Sequence, residues 1–169
     1  AYLLTDGPPD ADLMAAAAEG SLSDAETRRT HVQRLTESWN DMPGVNRFFD
    51  EHLGVSHVLS TPKDEDVFPG FTPEAREAAA ASTLAFVGHI LFEDDGRLST
   101  LISSDTVFVN RDNDVFYGMD VSQREFQAVQ STDGRAGILT APSFLASEAQ
   151  PDSSDIVKRG FFVRASLLC

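Results

Sequence analysis

The sequence predicts a mostly α fold: a helical bundle over residues 1–118, then a small irregular α(+β) module, residues 119–169, that ends in a helix. Three observations predict it. Residues 43–54, "PGVNRFFDEHLG", place Val45, Phe48, Phe49, His52 and Leu53 at helical spacing between an opening Pro and a closing Gly. Residues 72–92 carry two adjacent apolar stripes, Ala79, Thr83, Phe86, Ile90 and Leu84, Val87, Leu91, as wide as a central, buried helix needs. Beyond Met119 the helical period stops, and Gly134, Gly137 and Pro142 punctuate short apolar runs.

The elements follow in order. Residues 8–20 read as a short helix entered through Pro8 and Pro9, capped by Asp10 and stopped at Gly20. Residues 23–40 start with Ser23 and Glu26 at capping-box spacing, with Val32, Leu35 and Trp39 on one face. After the 43–54 helix, residues 55–71 form a loop with an acidic middle. Thr72-Pro73 starts the long helix, which "EDDG" ends after Phe92. Residues 98–118 read as two short helical pieces, residues 125–129 as a strand, and residues 154–168 as a last helix capped by Ser153 or Ser154. About five or six helices are expected in the 1–118 bundle and one in the module that follows, with Trp39, Phe48, Phe49, Phe86 and Phe108 in the core.

The charge balance narrows the function classes. With 27 acidic and 13 basic residues, the chain offers no Lys/Arg stripe to phosphates, so neither nucleic acid nor an anionic membrane is an expected partner. No apolar run is long enough for a membrane-spanning helix, so no membrane insertion is expected. The start, "AYLLTDGPPD", has no basic leader and no initiator Met, and a processed or excised piece is the expectation. A single cysteine allows no internal disulfide and no cysteine metal site.

Each chemical constellation has a bland counterpart. His52 and His57, with Asp50 or Glu51 nearby, would be a metal pair, but zinc helices space their histidines four apart; here the spacing is five and Gly54 intervenes. The bland reading puts His52 at the core's border and His57 in solvent. In "NRDNDVFYG", Asp112 and Asp114 are candidate ligands for a hard cation such as calcium, although the sixth-position Gly and closing Glu of a calcium loop are missing; caps and turns are the alternative. "EDDGR" reads as a solvated helix end, and "TDGRAG" fits neither a phosphate-loop nor a dinucleotide pattern, its glycines serving turns. No serine sits in G-x-S-x-G. Lys158, Arg159 and Arg164 are the densest positive patch and the candidate partner-binding residues, either docking acidic groups or pairing with the chain's own acids. Cys169 joins them as a thiol able to pair with another chain.

The segments "AYLLTDGPPDADLMAAAAEGSLSD", "RFFDEHLGV", "FPGFTPEAREAAAASTLAFVGHIL" and "LISSDTVFVNRDNDVFYGM" occur in an order that resembles a module of unknown function. That module belongs to large multidomain proteins of planctomycete and myxobacterial type that carry a c-type haem motif. "GRAGILTAPSFLASEAQPDSSDIVKRGFFVRASLLC" resembles the start of the next module in those proteins. The chain departs from the pattern at Ser82, at Asn113-Asp114 and at Asp155-Ile156. The resemblance implies an extracytoplasmic, mostly helical protein, with a protein partner or adjoining domain and with haem c in that neighbour, since this chain has no C-x-x-C-H. The expected function is a non-catalytic structural or interaction module or subunit of a larger extracytoplasmic assembly, by the resemblance one of c-type haem and electron transfer. The alternative is an enzyme component, a hydrolase or oxidoreductase, with a site on Asp50, His52 and His57 or on the 110–120 loop.

Overall fold

The computed structural model describes residues 1–36 and 43–168. Trp39 and Cys169 lie outside the described residues. The chain forms two compact units, Ala1–Phe48 and Phe49–Cys169.

The first unit holds α1 (Tyr2–Thr5), α2 (Ala11–Ala18), a 3-10 turn (Ser21–Ser23), α3 (Ala25–Leu35) and the first half of α4 (Pro43–Leu53). Asp10 caps α2 as expected, accepting from the Leu13 N–H at 2.9 Å. The same carboxylate takes both guanidinium nitrogens of Arg34, at 2.6 and 3.0 Å, and so ties α3 to the head of α2. The expected Ser23–Glu26 capping box does not form. Asp24 is the cap of α3, accepting from Thr27 at 2.8 Å, and the Ser23 hydroxyl donates to the Gly20 carbonyl. A carboxylate one residue nearer the helix wins the N–H groups because it also satisfies the Thr27 hydroxyl. Val32 is half exposed, and Ala16 is the buried hydrophobic residue of this unit among those described.

The second unit is built on α6 (Pro73–Phe92). Thr72 caps it by accepting from Ala75 at 3.2 Å, and Pro73 opens it. Ala75, Ala78, Ala79, Ala80, Ser82, Thr83, Phe86, Val87 and Ile90 are buried, so the helix is covered on most sides, as its double stripe predicts. Around it stand the end of α4, α5 (His57–Ser60), α7 (Leu98–Ser103), α8 (Pro142–Ser147), α9 (Ile156–Phe162) and a π-helical continuation, Val163–Leu167. The core gathers Leu53, Val55, Val58, Phe86, Val87, Ile90, Leu101 and Ile138, with Phe49, Phe108 and Phe162 packed against it. Residues on both sides of position 118 thus share one core.

Three expectations are corrected. Phe48 is 57% exposed rather than buried: Phe49 and Leu53 take the inward face of α4, and a residue next to Phe49 points about 100° away. Residues 98–118 are helical only in α7 and in a 3-10 turn, Asp114–Phe116; Thr106–Val109 is a strand, β1. Its β-branched and aromatic run pairs antiparallel with β2 (Gln127–Gln130), Thr106 opposite Gln130 and Val109 opposite Gln127. The last helix is capped by Asp155, which accepts from Lys158 at 2.9 Å, instead of by Ser153 or Ser154.

Candidate functional site

The expected metal and acid/base residues are engaged in structural roles. Asp50 accepts from both the backbone N–H and the hydroxyl of Ser56, at 2.7 and 2.8 Å, holding the turn after α4. His52 and His57 are both exposed, on either side of Gly54, whose φ of 62° breaks the helix between them. Asp112 pairs with Arg111 at 3.4 Å, and Asp114 accepts from the Val121 N–H at 3.0 Å. In the same loop Asn110 and Asn113 bond reciprocally, and Asn113 is fully buried. Asp95 caps the next turn through Arg97 N–H and the Thr100 hydroxyl, contacts that hold its carboxyl below the usual range. Among the described residues, no group of three or more His, Cys, Asp or Glu is placed to hold a metal ion.

The positive residues behave differently. Lys158, Arg159 and Arg164 form no ion pair among the described residues. α9 is fixed to the core by Phe162, whose ring meets Phe144 of α8 edge-on at 4.9 Å. With that face anchored, Ile156, Val157, Phe161 and Leu168 stand outward at 79%, 81%, 71% and 73% exposure. The C-terminal edge thus presents an apolar strip carrying Lys158 and Arg164. Such a strip costs solubility in a free molecule and is usual on a surface that another protein covers.

Beside the strip lies a cavity of about 250 Å³. Its walls are Phe68, Phe71, Phe116, Pro142, Leu145, Ala146 and Ala149, and its polar groups are Lys63, Arg135, Arg159, Ser153 and Ser154. Among the described residues, no carboxylate lines it. The turn between α8 and α9 forms one rim: Ala149 bridges Ser154, and Gln150 N–H donates to the Ser153 carbonyl at 2.9 Å. That turn holds Lys63, whose Nζ donates to the Gln150 carbonyl at 2.7 Å, while the Asp64 N–H donates to the Pro151 carbonyl at 2.9 Å. Asp155, the nearest acid on α9, is taken by Lys158 N–H and by the Gln150 amide at 2.7 Å.

The opposite wall is a stack. The Arg76 guanidinium lies 4.8 Å over the Phe71 ring, and Phe71 meets Phe116 edge-on at 5.8 Å. Arg135 donates to the Phe116 carbonyl at 2.8 Å, pairs with Asp133 at 2.7 Å, and lies over the Tyr117 ring. Burial pushes the Tyr117 phenol up to about 12. Burial also lowers the Lys63 ammonium below its usual value, with the positive charges of Lys158, Arg159 and Arg76 adding to the effect. The Nε atoms of Arg76 and Arg159 are buried without a hydrogen-bond partner among the described residues. Sequence reading found Arg159 but missed Lys63, Arg76 and Arg135, because the fold brings them together from distant positions and no local spacing announces that.

Among the described residues, no helix is long and apolar enough to cross a membrane. Residues 1–119 match a family described as "Protein of unknown function (DUF1592)". No curated protein and no solved structure matches the chain.

Proposed function

Because the chain belongs to the DUF1592 family, whose function is unknown, we propose its role from its own surface: it is a non-catalytic interaction module that docks an acidic protein partner or adjoining domain on its C-terminal edge. The observation that carries this reading is the outward set Ile156, Val157, Phe161 and Leu168, with Lys158 and Arg164, which form no ion pair among the described residues, on the same segment. The apolar residues supply area: fully burying each is worth about 1.5–3 kcal/mol before the costs of association. The cations choose the partner, since they favour a surface with carboxylates around an apolar patch.

The resemblance noted in the sequence supports an extracytoplasmic assembly in which a neighbour carries haem c. The single cysteine of this chain provides no C-x-x-C-H, so a covalent haem would belong to that neighbour.

The test places a photo-crosslinking residue at Val157 in the native host. One discrete adduct to an identified acidic surface is expected, lost in Phe161→Asp and weakened in the Lys158→Glu, Arg164→Glu double variant. Phe161→Ala should lower affinity about ten- to a hundredfold. No adduct, or adducts unaffected by these substitutions, would sink the reading. A visible spectrum of the isolated complex tests the haem-bearing neighbour separately, a c-type absorbance being expected.

A further inference from the structure

We propose that the cavity between α8, α9 and the 63–71 segment is a binding site for a small amphiphilic carboxylate. The apolar body would lie against Phe71, Phe116 and Leu145, and the carboxylate would be held by Arg159 and Lys63.

Three observations carry this independently of the docking edge. The first is shape and lining. At about 250 Å³ the cavity accepts a molecule of on the order of ten non-hydrogen atoms, and its walls are aromatic and aliphatic. The second is unspent charge. Arg159 and Lys63 reach the cavity from elements far apart in sequence; among the described residues no carboxylate lines it and each lacks an ion pair, although acids outnumber bases two to one in the chain. The third is the Nε of Arg159, buried with no hydrogen-bond partner among the described residues. A buried, unpartnered donor on a guanidinium is a costly arrangement; because Nε is shielded, a bound carboxylate would relieve it only with a small turn of the guanidinium toward the cavity.

The stoichiometry of groups favours a monoacid. Arg135 is committed to Asp133 and to the Phe116 carbonyl, which leaves the Arg159 fork and one ammonium for the ligand. The fork donates to two carboxylate oxygens side by side, and Lys63 adds a point charge. A neutral apolar molecule would leave both cations unpaired, and a bare inorganic anion would leave the phenylalanine walls wet.

The experiment titrates the full chain with 3-phenylpropionate, its neutral amide and inorganic phosphate, read by calorimetry and by methyl NMR at Leu145 and Ala146. Saturable binding of the acid is expected in the high-micromolar to millimolar range, with shifts at both methyl positions. The amide should bind at least about tenfold more weakly, as should the acid to Arg159→Gln and to Lys63→Gln. Phosphate should not displace the acid at equal concentration. Equal affinity for acid and amide, unchanged affinity in both variants, phosphate binding as tightly as the acid, or unmoved Leu145 and Ala146 methyls in the unaltered chain would each overturn the assignment. The methyl readout needs no variant, so a misfolded variant does not leave the question open.

Discussion

Asn113 offers the sharpest test of how the 106–121 segment is held. It is fully buried, and its amide closes the turn after β1 from both ends. Its Oδ1 accepts from the Asn110 N–H at 2.8 Å, and its Nδ2 donates to the Phe108 carbonyl at 3.0 Å. Asn113→Ala removes both partners and leaves a small void. Each buried polar group left unmatched costs about 1–3 kcal/mol, so about 2–6 kcal/mol is expected for the two, a large part of a typical domain's 5–15. Asn113→Asp should cost more at neutral pH, because a carboxylate oxygen would face the Phe108 carbonyl in a buried site. The assay is urea unfolding followed by circular dichroism, reading the midpoint shift at unchanged slope. A loss below about 0.5 kcal/mol for the alanine variant would refute the reasoning, since it would mean that water or a rearranged turn replaces the amide at no cost.

Two further outcomes follow from local geometry. At Gly137, φ is 66° and an added Cβ would overlap the Ile102 carbonyl, so Gly137→Ala should lose about 3 kcal/mol or more in thermal unfolding; Gly134→Ala, at φ 83° with open space around it, should lose only about 1 kcal/mol. Arg34, then the Leu13 N–H, hold the Asp10 carboxyl down to about 2 from its ordinary 3.8. A depressed carboxyl stabilises the fold above its unfolded value and loses that contribution as pH falls through the folded one, so stability should drop between about pH 4 and 2. Asp10→Asn should flatten that part of the pH–stability curve, and NMR titration of the carboxyl checks the value directly.

What was legible in the sequence was what local chemistry decides. Pro43, Gly54, Thr72 and the stripes of residues 72–92 specify two helices, and the structure keeps their bounds. Asp10 was found as a cap because a capping carboxylate acts within three residues. The misses are competitions between neighbours. Asp24 displaces Ser23 as a cap, and Asp155 displaces Ser153 and Ser154, since the residue adjoining the first turn reaches its N–H groups best. Thr106–Val109 was read as helix because four residues are too few for a period, and only the partner at Gln127–Gln130 makes it a strand. In the cavity, Arg159 was singled out by its basic neighbours, whereas Lys63 sits inside an acidic stretch, "PKDED", that reads as a solvated loop.

The proposed docking edge and carboxylate site both draw on an uneven placement of the cations. Arg29, Arg34, Arg47, Arg97, Arg111 and Arg135 each hold a carboxylate, as a chain with 27 acids would make easy for every base. Lys63, Arg76, Lys158 and Arg159 instead lie close enough to one another for the last three to lower the Lys63 ammonium, an arrangement that opposes folding. Pairing them would take only one nearby acid. Asp155 is in reach of the same segment, yet its carboxylate is turned to the Lys158 N–H and the Gln150 amide. Arg28 and Arg124 also form no ion pair among the described residues, so what sets this place apart is the clustering of four cations, at a cost to stability, between an apolar strip and an aromatic cavity. Such local cost is characteristic of sites whose missing partner is a ligand or another protein.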